Sequence, residues 1–119
     1  MSFKRYSLYI GRFQPFHKGH EWCIRQMIED GKKVCVAIMD IHGSEPENNP
    51  YTYEEVLDKI FEAMVDEIQD GKVKVIKIPA IESVNYGRNV GYEFIEHTPP
   101  DDIREISATK IRSENDTNI

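Results

Sequence analysis

The chain has 119 residues, which is enough for one domain with a hydrophobic core that needs no metal or disulfide staple. Its formal net charge of −6 argues against a broad phosphate-tracking surface for nucleic acid, and its longest apolar run is too short to span a membrane. The amino terminus lacks the pattern of a secretory signal. We therefore expect one cytoplasmic domain over residues 1–119, with a frayed tail at 114–119, and neither nucleic acid nor membrane as a partner.

The first part of the chain alternates strand and helix patterns. Tyr6 to Ile10 predicts a short strand, and Lys18 to Asp30 carries apolar residues at helical spacing, with Gly31 at the expected helix stop. Val34 to Met39 is apolar without alternation, which is typical of a parallel strand covered on both faces. Cys23 and Cys35 lie in these apolar stretches, so we expect both to be reduced and buried.

A second helix and a third strand follow. Asp40 to Tyr51 is rich in turn-forming residues and predicts a mobile surface loop, after which Thr52 and Glu55 form a capping box. The predicted buried stripe of this helix is Val56, Leu57, Ile60, Phe61, Met64, Val65 and Ile68. Val73 to Ile78 predicts the third strand. The β-α-β-α-β order favours an α/β fold, a Rossmann-like parallel sheet with flanking helices.

Toward the carboxyl end, Tyr92 to Ile95 is a candidate fourth strand, and a short helix is expected from Ser107 onward. Neither segment carries as regular a pattern as the first two helices.

The first strand runs directly into GRFQPFHKGH, residues 11–20. His17 and His20 are three residues apart at a helix amino terminus, where backbone N–H groups and the helix dipole favour an anion such as a triphosphate. Such donors suit phosphoryl transfer, which depends on positioning and charge stabilisation, and Gly19 leaves room for close approach. The alternative for either histidine alone is a surface or capping residue. Two ligands are too few for a metal site, so no protein-held metal is predicted.

A second segment with phosphate-binding chemistry is ISATKIR, residues 106–112. Ser107 and Thr109 offer hydroxyl groups, and Lys110 and Arg112 offer cations. The alternatives are an ordinary helix cap for Ser107 and a solvated face for the two cations.

Together these two segments resemble the nucleotidylyltransferase superfamily, which includes archaeal-type nicotinamide-nucleotide adenylyltransferases, phosphopantetheine adenylyltransferase and glycerol-3-phosphate cytidylyltransferase. GRFQPFHKGH resembles the HxGH signature in its GRFQP form, and ISATKIR resembles the ISxTxxR signature. NNPYTYEE, residues 48–55, resembles the segment that opens the second helix in the adenylyltransferase branch.

The resemblance implies transfer of a nucleoside monophosphate, AMP in preference to CMP, from a nucleoside triphosphate to a phosphorylated small molecule with release of pyrophosphate. It also implies Mg²⁺ entering with the triphosphate and, as in many members, a homodimer. Catalytic roles are implied for His17, His20 and Arg112. The residues expected at the nucleotide and its phosphates are Gly11, Arg12, Phe13, Lys18, Gly19, Ser107, Thr109 and Lys110.

The acceptor side is abridged relative to the family, because only about two dozen residues lie between Ala80 and ISATKIR, where the family usually has a further strand and helix. Arg88 is a candidate acceptor cation, Tyr86 and Tyr92 are candidate stacking surfaces, and Asp40 ends the second strand close to the expected ligand. The alternative for this segment is a glycine-assisted turn with aromatic packing. Alternatives to the enzyme are a nucleotide-binding module with reduced or no catalysis and a protein-interaction fragment; the sequence does not identify the acceptor.

Overall fold

The computed structural model describes residues 5–41, 45–88 and 91–104, without the side chain of Arg104. Its elements are β1 (Tyr6–Gly11), α1 (Lys18–Glu29), β2 (Lys33–Asp40), α2 (Tyr53–Gln69), β3 (Val73–Pro79) and the short α3 (Asp101–Arg104). The first five confirm the predicted elements, with bounds that differ by no more than a residue at either end. In the described residues, no helix is long and apolar enough to cross a membrane.

The three strands form one parallel sheet in the order β1-β2-β3, which confirms the predicted α/β fold class. The register places Gly11, Ile38 and Lys77 in one row across the sheet. Because β2 is central, its helix-facing side chains Val34 and Val36 are completely buried. The carboxyl ends of all three strands therefore share one edge, where open α/β sheets bind ligands.

Both long helices pack on the same face of the sheet, where Ile24 and Met27 of α1 meet Ile60 and Met64 of α2 in one core. Arg25 joins the helices, because its guanidinium donates to Glu67 at 2.6 Å as well as to Glu21 of its own helix at 2.9 Å.

The other face of the sheet is less covered than the apolar run of β2 predicted. Leu8 of β1 is 56% exposed, and Cys35 of β2 is only partly buried. The expectation that both cysteines are buried is therefore correct for Cys23 and wrong for Cys35.

The predicted stripe of α2 is too wide. Val56, Ile60 and Met64 are buried, whereas Phe61 and Val65 are each 43% exposed. Each of these two directly follows a core residue. Its side chain is therefore rotated by about 100° around the helix and points sideways from the sheet. The capping box is confirmed, since Thr52 Oγ1 accepts from the Glu55 N–H and the Thr52 N–H donates to Glu55 Oε1, both at 3.1 Å.

The prediction of a fourth strand at Tyr92 to Ile95 is wrong. The described backbone at 91–100 forms no helix or strand, and Tyr92 is 69% exposed. Apolar residues alone do not make a strand, because a strand also needs a hydrogen-bonding partner. The helix predicted from Ser107 and the tail at 114–119 lie outside the described residues.

Ile60→Ala should lower the free energy of unfolding by about 3 kcal/mol, because it leaves a cavity in the core between α2 and the sheet. Phe61→Ala is the matched control, and it should cost less than about 1 kcal/mol because that ring is half in solvent. Urea unfolding of both variants measures this difference. Equal losses would contradict the orientation of α2.

Candidate active site

The loop from β1 to α1 is built on a buried aromatic ring. Phe13 has a positive φ of 53°, is 2% exposed, and places its ring edge-on to His20 at 4.9 Å between centroids. A Cβ at Gly11 would come within 2.7 Å of the Phe13 ring, so glycine is required for this packing. The side chain of Phe13, predicted at the nucleotide, instead lies in the core, where it supports His20.

His17 and His20 cap α1 reciprocally. His17 is the N-cap residue, and its Nδ1 accepts a hydrogen bond from the Gly19 N–H at 3.0 Å, while the His17 N–H donates to His20 Nδ1 at 3.1 Å. The two rings stack with centroids 3.7 Å apart. The capping alternative raised from the sequence is therefore correct for both histidines, and it occupies only their Nδ1 atoms.

The caps fix the proton position on each ring. An Nδ1 that accepts a hydrogen bond carries no proton, so the neutral imidazole carries its proton on Nε2. Burial, with a smaller contribution from the neighbouring His17, lowers the pKa of His20 to about 3, and burial also lowers the pKa of His17. Both rings are thus neutral at pH 7, and each has an Nε2–H group to donate to an anion.

Polar side chains tie the same loop to the segment before α2. Gln14, only 4% exposed, donates from Nε2 to the Tyr51 carbonyl at 3.1 Å and accepts from the Tyr51 N–H at 2.8 Å. The guanidinium of Arg12 donates to Oδ1 of Asn49 at 3.2 Å, and Asn49 is itself buried. The prediction of a surface loop over Asp40 to Tyr51 is therefore wrong at Asn49, since a buried amide needs such partners.

Gln14 and Asn49 are the site residues that sequence reasoning missed. Both lie inside segments that had been singled out, GRFQP and NNPYT, and an amide residue directly before a proline was the available signal. The bond of Arg12 to Asn49 and the bond of Gln14 to Tyr51 each span 37 residues of sequence. No local pattern indicates such contacts.

The other predicted site residues lie in different parts of the structure. Lys18 is exposed at the start of α1, Gly19 is buried beside the His17 ring, and Asp40 forms an ion pair with Lys77 at the end of β2. Arg88 and Tyr92 lie in an exposed segment.

In the same exposed segment the ring of Tyr86 packs against Phe94, with ring centroids 5.2 Å apart. A Cβ at Gly87 would meet no heavy atom within 4 Å. These contacts bring Tyr86 to Phe94, not to the histidines.

The described chain returns to the amino end of α1 before the ISATKIR segment begins. Cys23 lies against the His97 carbonyl at 3.8 Å, and Ile103 Cγ2 is 3.9 Å from where a Cβ at Gly19 would lie. Ser107, Thr109, Lys110 and Arg112 lie outside the described residues. Within residues 5–41, 45–88 and 91–104, no group of three or more His, Cys, Asp or Glu side chains is placed to hold a metal ion.

The stability of the fold should depend on His20 below pH 6.5. The unfolded chain takes up a proton on this histidine near pH 6.5, whereas the folded chain does so only near pH 3. The unfolded state binds more protons in that window, so the free energy of unfolding falls as the pH falls through it. His20→Gln keeps a capping-box acceptor. In this variant the free energy of unfolding, measured in urea, should depend less on pH between about pH 6.5 and 5. An unchanged pH slope would contradict a neutral, buried His20.

The chain is similar to known proteins over most of its length. The family model described as cytidylyltransferase-like matches residues 8–95. The nicotinamide-nucleotide adenylyltransferase of Methanolobus tindarius is 33% identical over 99 residues, which are 83% of this chain and 54% of that protein. The proteins of the same name from Thermococcus sibiricus and Ignicoccus hospitalis are 31% and 36% identical over 62% and 63% of this chain, and over 40% and 44% of their own lengths.

The chain thus spans about half the length, or less, of these curated relatives. The search of solved structures gave no significant match. The family match covers the sheet, both long helices and the loop from β1 to α1, which we call the histidine loop. On this basis the chain belongs to the cytidylyltransferase-like family.

Proposed function

We propose that the protein transfers AMP from ATP to a phosphorylated acceptor and releases pyrophosphate. ATP is preferred to CTP, and nicotinamide mononucleotide is the first acceptor to test, because the three relatives described above are named nicotinamide-nucleotide adenylyltransferases. The chain covers only part of those relatives, so the acceptor has to be established for this protein itself.

The observation that carries the proposal is the histidine pair at the start of α1. Both Nδ1 atoms are held by the cap, so both Nε2–H groups are left for a ligand. A helix amino terminus at the carboxyl end of β1 already favours an anion, and neutral donors add hydrogen bonds there without a protonation step.

The reaction follows from that placement. A phosphate oxygen of the acceptor attacks the α-phosphorus of ATP, a new P–O bond forms, and the bond from the α-phosphorus to the bridging oxygen breaks. The electron pair of that bond leaves with pyrophosphate. His17 and His20 donate to oxygens of the α-phosphate and to the bridging oxygen as negative charge develops on them.

The β- and γ-phosphates are assigned to Ser107, Thr109, Lys110 and Arg112, with Arg12 and Lys18 nearby. Support for this assignment comes from Ile103, which lies beside Gly19 only a few residues before ISATKIR. Arg12 would exchange its bond to Asn49 for a phosphate oxygen, since phosphate is the stronger partner.

Magnesium is assigned to the triphosphate and not to the protein. The described residues offer no three-ligand cluster, and Mg²⁺ is commonly bound through substrate phosphates. When bound there, it neutralises part of the triphosphate charge. Arg88, Tyr86 and Tyr92 remain predicted acceptor contacts.

The test uses substitutions that keep a hydrogen-bond acceptor for the cap and carry no N–H donor in place of Nε2–H. Ser is a strong N-cap residue and Glu a normal third residue of a capping box, so His17→Ser and His20→Glu should still fold. Each should lower the rate of pyrophosphate release from ATP and nicotinamide mononucleotide by at least about tenfold. His97→Asn is the matched control and should leave the rate unchanged.

Wild-type turnover in either cap variant would show that the assigned donor role is wrong. Intact ATP binding without transfer to any member of a phosphomonoester panel would favour the nucleotide-binding module instead.

A further inference from the structure

An open cleft of about 390 Å³ lies at the carboxyl ends of β2 and β3, lined by Asp40, Lys77, Ile78, Pro79 and Ala80. The Lys77 ammonium is 3.3 Å from Asp40 Oδ2 and 5.0 Å from the ring centroid of Tyr53, the first residue of α2. The function proposed above uses neither Lys77 nor Tyr53.

The register relates this cleft to the histidine loop. Gly11, which opens that loop, pairs with Ile38, and Ile38 pairs with Lys77. Two strand spacings separate Gly11 from Lys77, or about 10 Å. The acceptor's phosphate has to reach the α-phosphate proposed at His17 and His20, so a cleft two strands along the same edge is placed for the other end of the acceptor.

The two charged groups have complementary hydrogen-bonding chemistry. A carboxylate only accepts and an ammonium only donates, whereas a hydroxyl group does both. A hydroxyl placed between Asp40 and Lys77 therefore satisfies both. The existing ion pair is weak enough to open, because Lys77 and Asp40 are 52% and 40% exposed and exposed pairs contribute about 1 kcal/mol or less.

We infer that the Asp40–Lys77 cleft binds the hydroxyl-bearing, sugar-like end of the acceptor while the acceptor's phosphate points toward His17 and His20. This inference rests on the proposed function, since it assigns the second half of the same site. It narrows the acceptor class to phosphorylated sugars and nucleosides.

The test measures binding of nicotinamide mononucleotide, methyl phosphate and ATP by calorimetry or NMR titration. Nicotinamide mononucleotide carries ribose hydroxyls, whereas methyl phosphate carries none. Lys77→Met keeps the apolar stem over Tyr53 and removes the donor, and Asp40→Asn removes the charged acceptor. Each substitution should weaken the binding of nicotinamide mononucleotide about fivefold, as expected for one lost hydrogen bond. ATP and methyl phosphate should bind as they do to the wild type.

Lys74→Met is the matched control, because Lys74 is exposed on the same strand but its side chain points to the opposite face of the sheet from Lys77. It should leave all three affinities unchanged. A loss of methyl phosphate binding in Lys77→Met would make Lys77 a phosphate contact and overturn the inference. Unchanged nicotinamide mononucleotide binding in both cleft variants, or none in the wild type, would also overturn it.

The two proposals fail in different ways. Lys77-dependent binding without any transfer would leave the cleft assignment standing and reject the enzymatic activity. Transfer at wild-type efficiency in Lys77→Met, with an unchanged KM for the acceptor, would reject the cleft and leave the activity standing.

Discussion

The reciprocal hydrogen bonds between His17 and His20 are the contact on which the rest of the site depends. They satisfy backbone N–H groups that the first turn of α1 leaves without helical partners, and they do so with Nδ1 alone. The cap thereby uses the Nδ1 side of each ring and leaves the Nε2 side for the proposed ligand. Phe13 beneath His20 and Gly11 beneath Phe13 complete the support, since a side chain at Gly11 would displace the Phe13 ring.

A second constraint brings together the two halves of the proposed site at the carboxyl edge of the sheet. The side-chain amide of Gln14 makes a donor and an acceptor bond to the backbone of Tyr51, so the histidine loop and the start of α2 are held as one unit. Tyr53 follows two residues later and carries Lys77 over its ring. The proposed nucleotide site at β1 and the cleft at β2 and β3 are in this way linked through one buried glutamine.

Local patterns predicted most of the fold because the signal for each helix and strand lies within a short stretch of sequence. The helical spacing of α1, the apolar run of β2 and the Thr52–Glu55 box each lie within a few residues of sequence, and all three are found in the structure. The bonds of Gln14 to Tyr51 span 37 residues and follow no period. At Tyr92 to Ile95 the local pattern was misleading. Its apolar composition predicted a strand, but these residues do not pair with the sheet.

For the site, residue types were predicted better than their roles. The histidines were recognised by their place after β1, but only the structure shows that the cap occupies both Nδ1 atoms and leaves the Nε2 atoms for the proposed ligand. A crystal structure with a non-hydrolysable ATP analogue tests this division most directly. We expect both Nε2 atoms to lie within about 3.2 Å of triphosphate oxygens while both Nδ1 caps stay intact. A triphosphate bound away from the start of α1, or one that opens the cap to reach Nδ1, would contradict it.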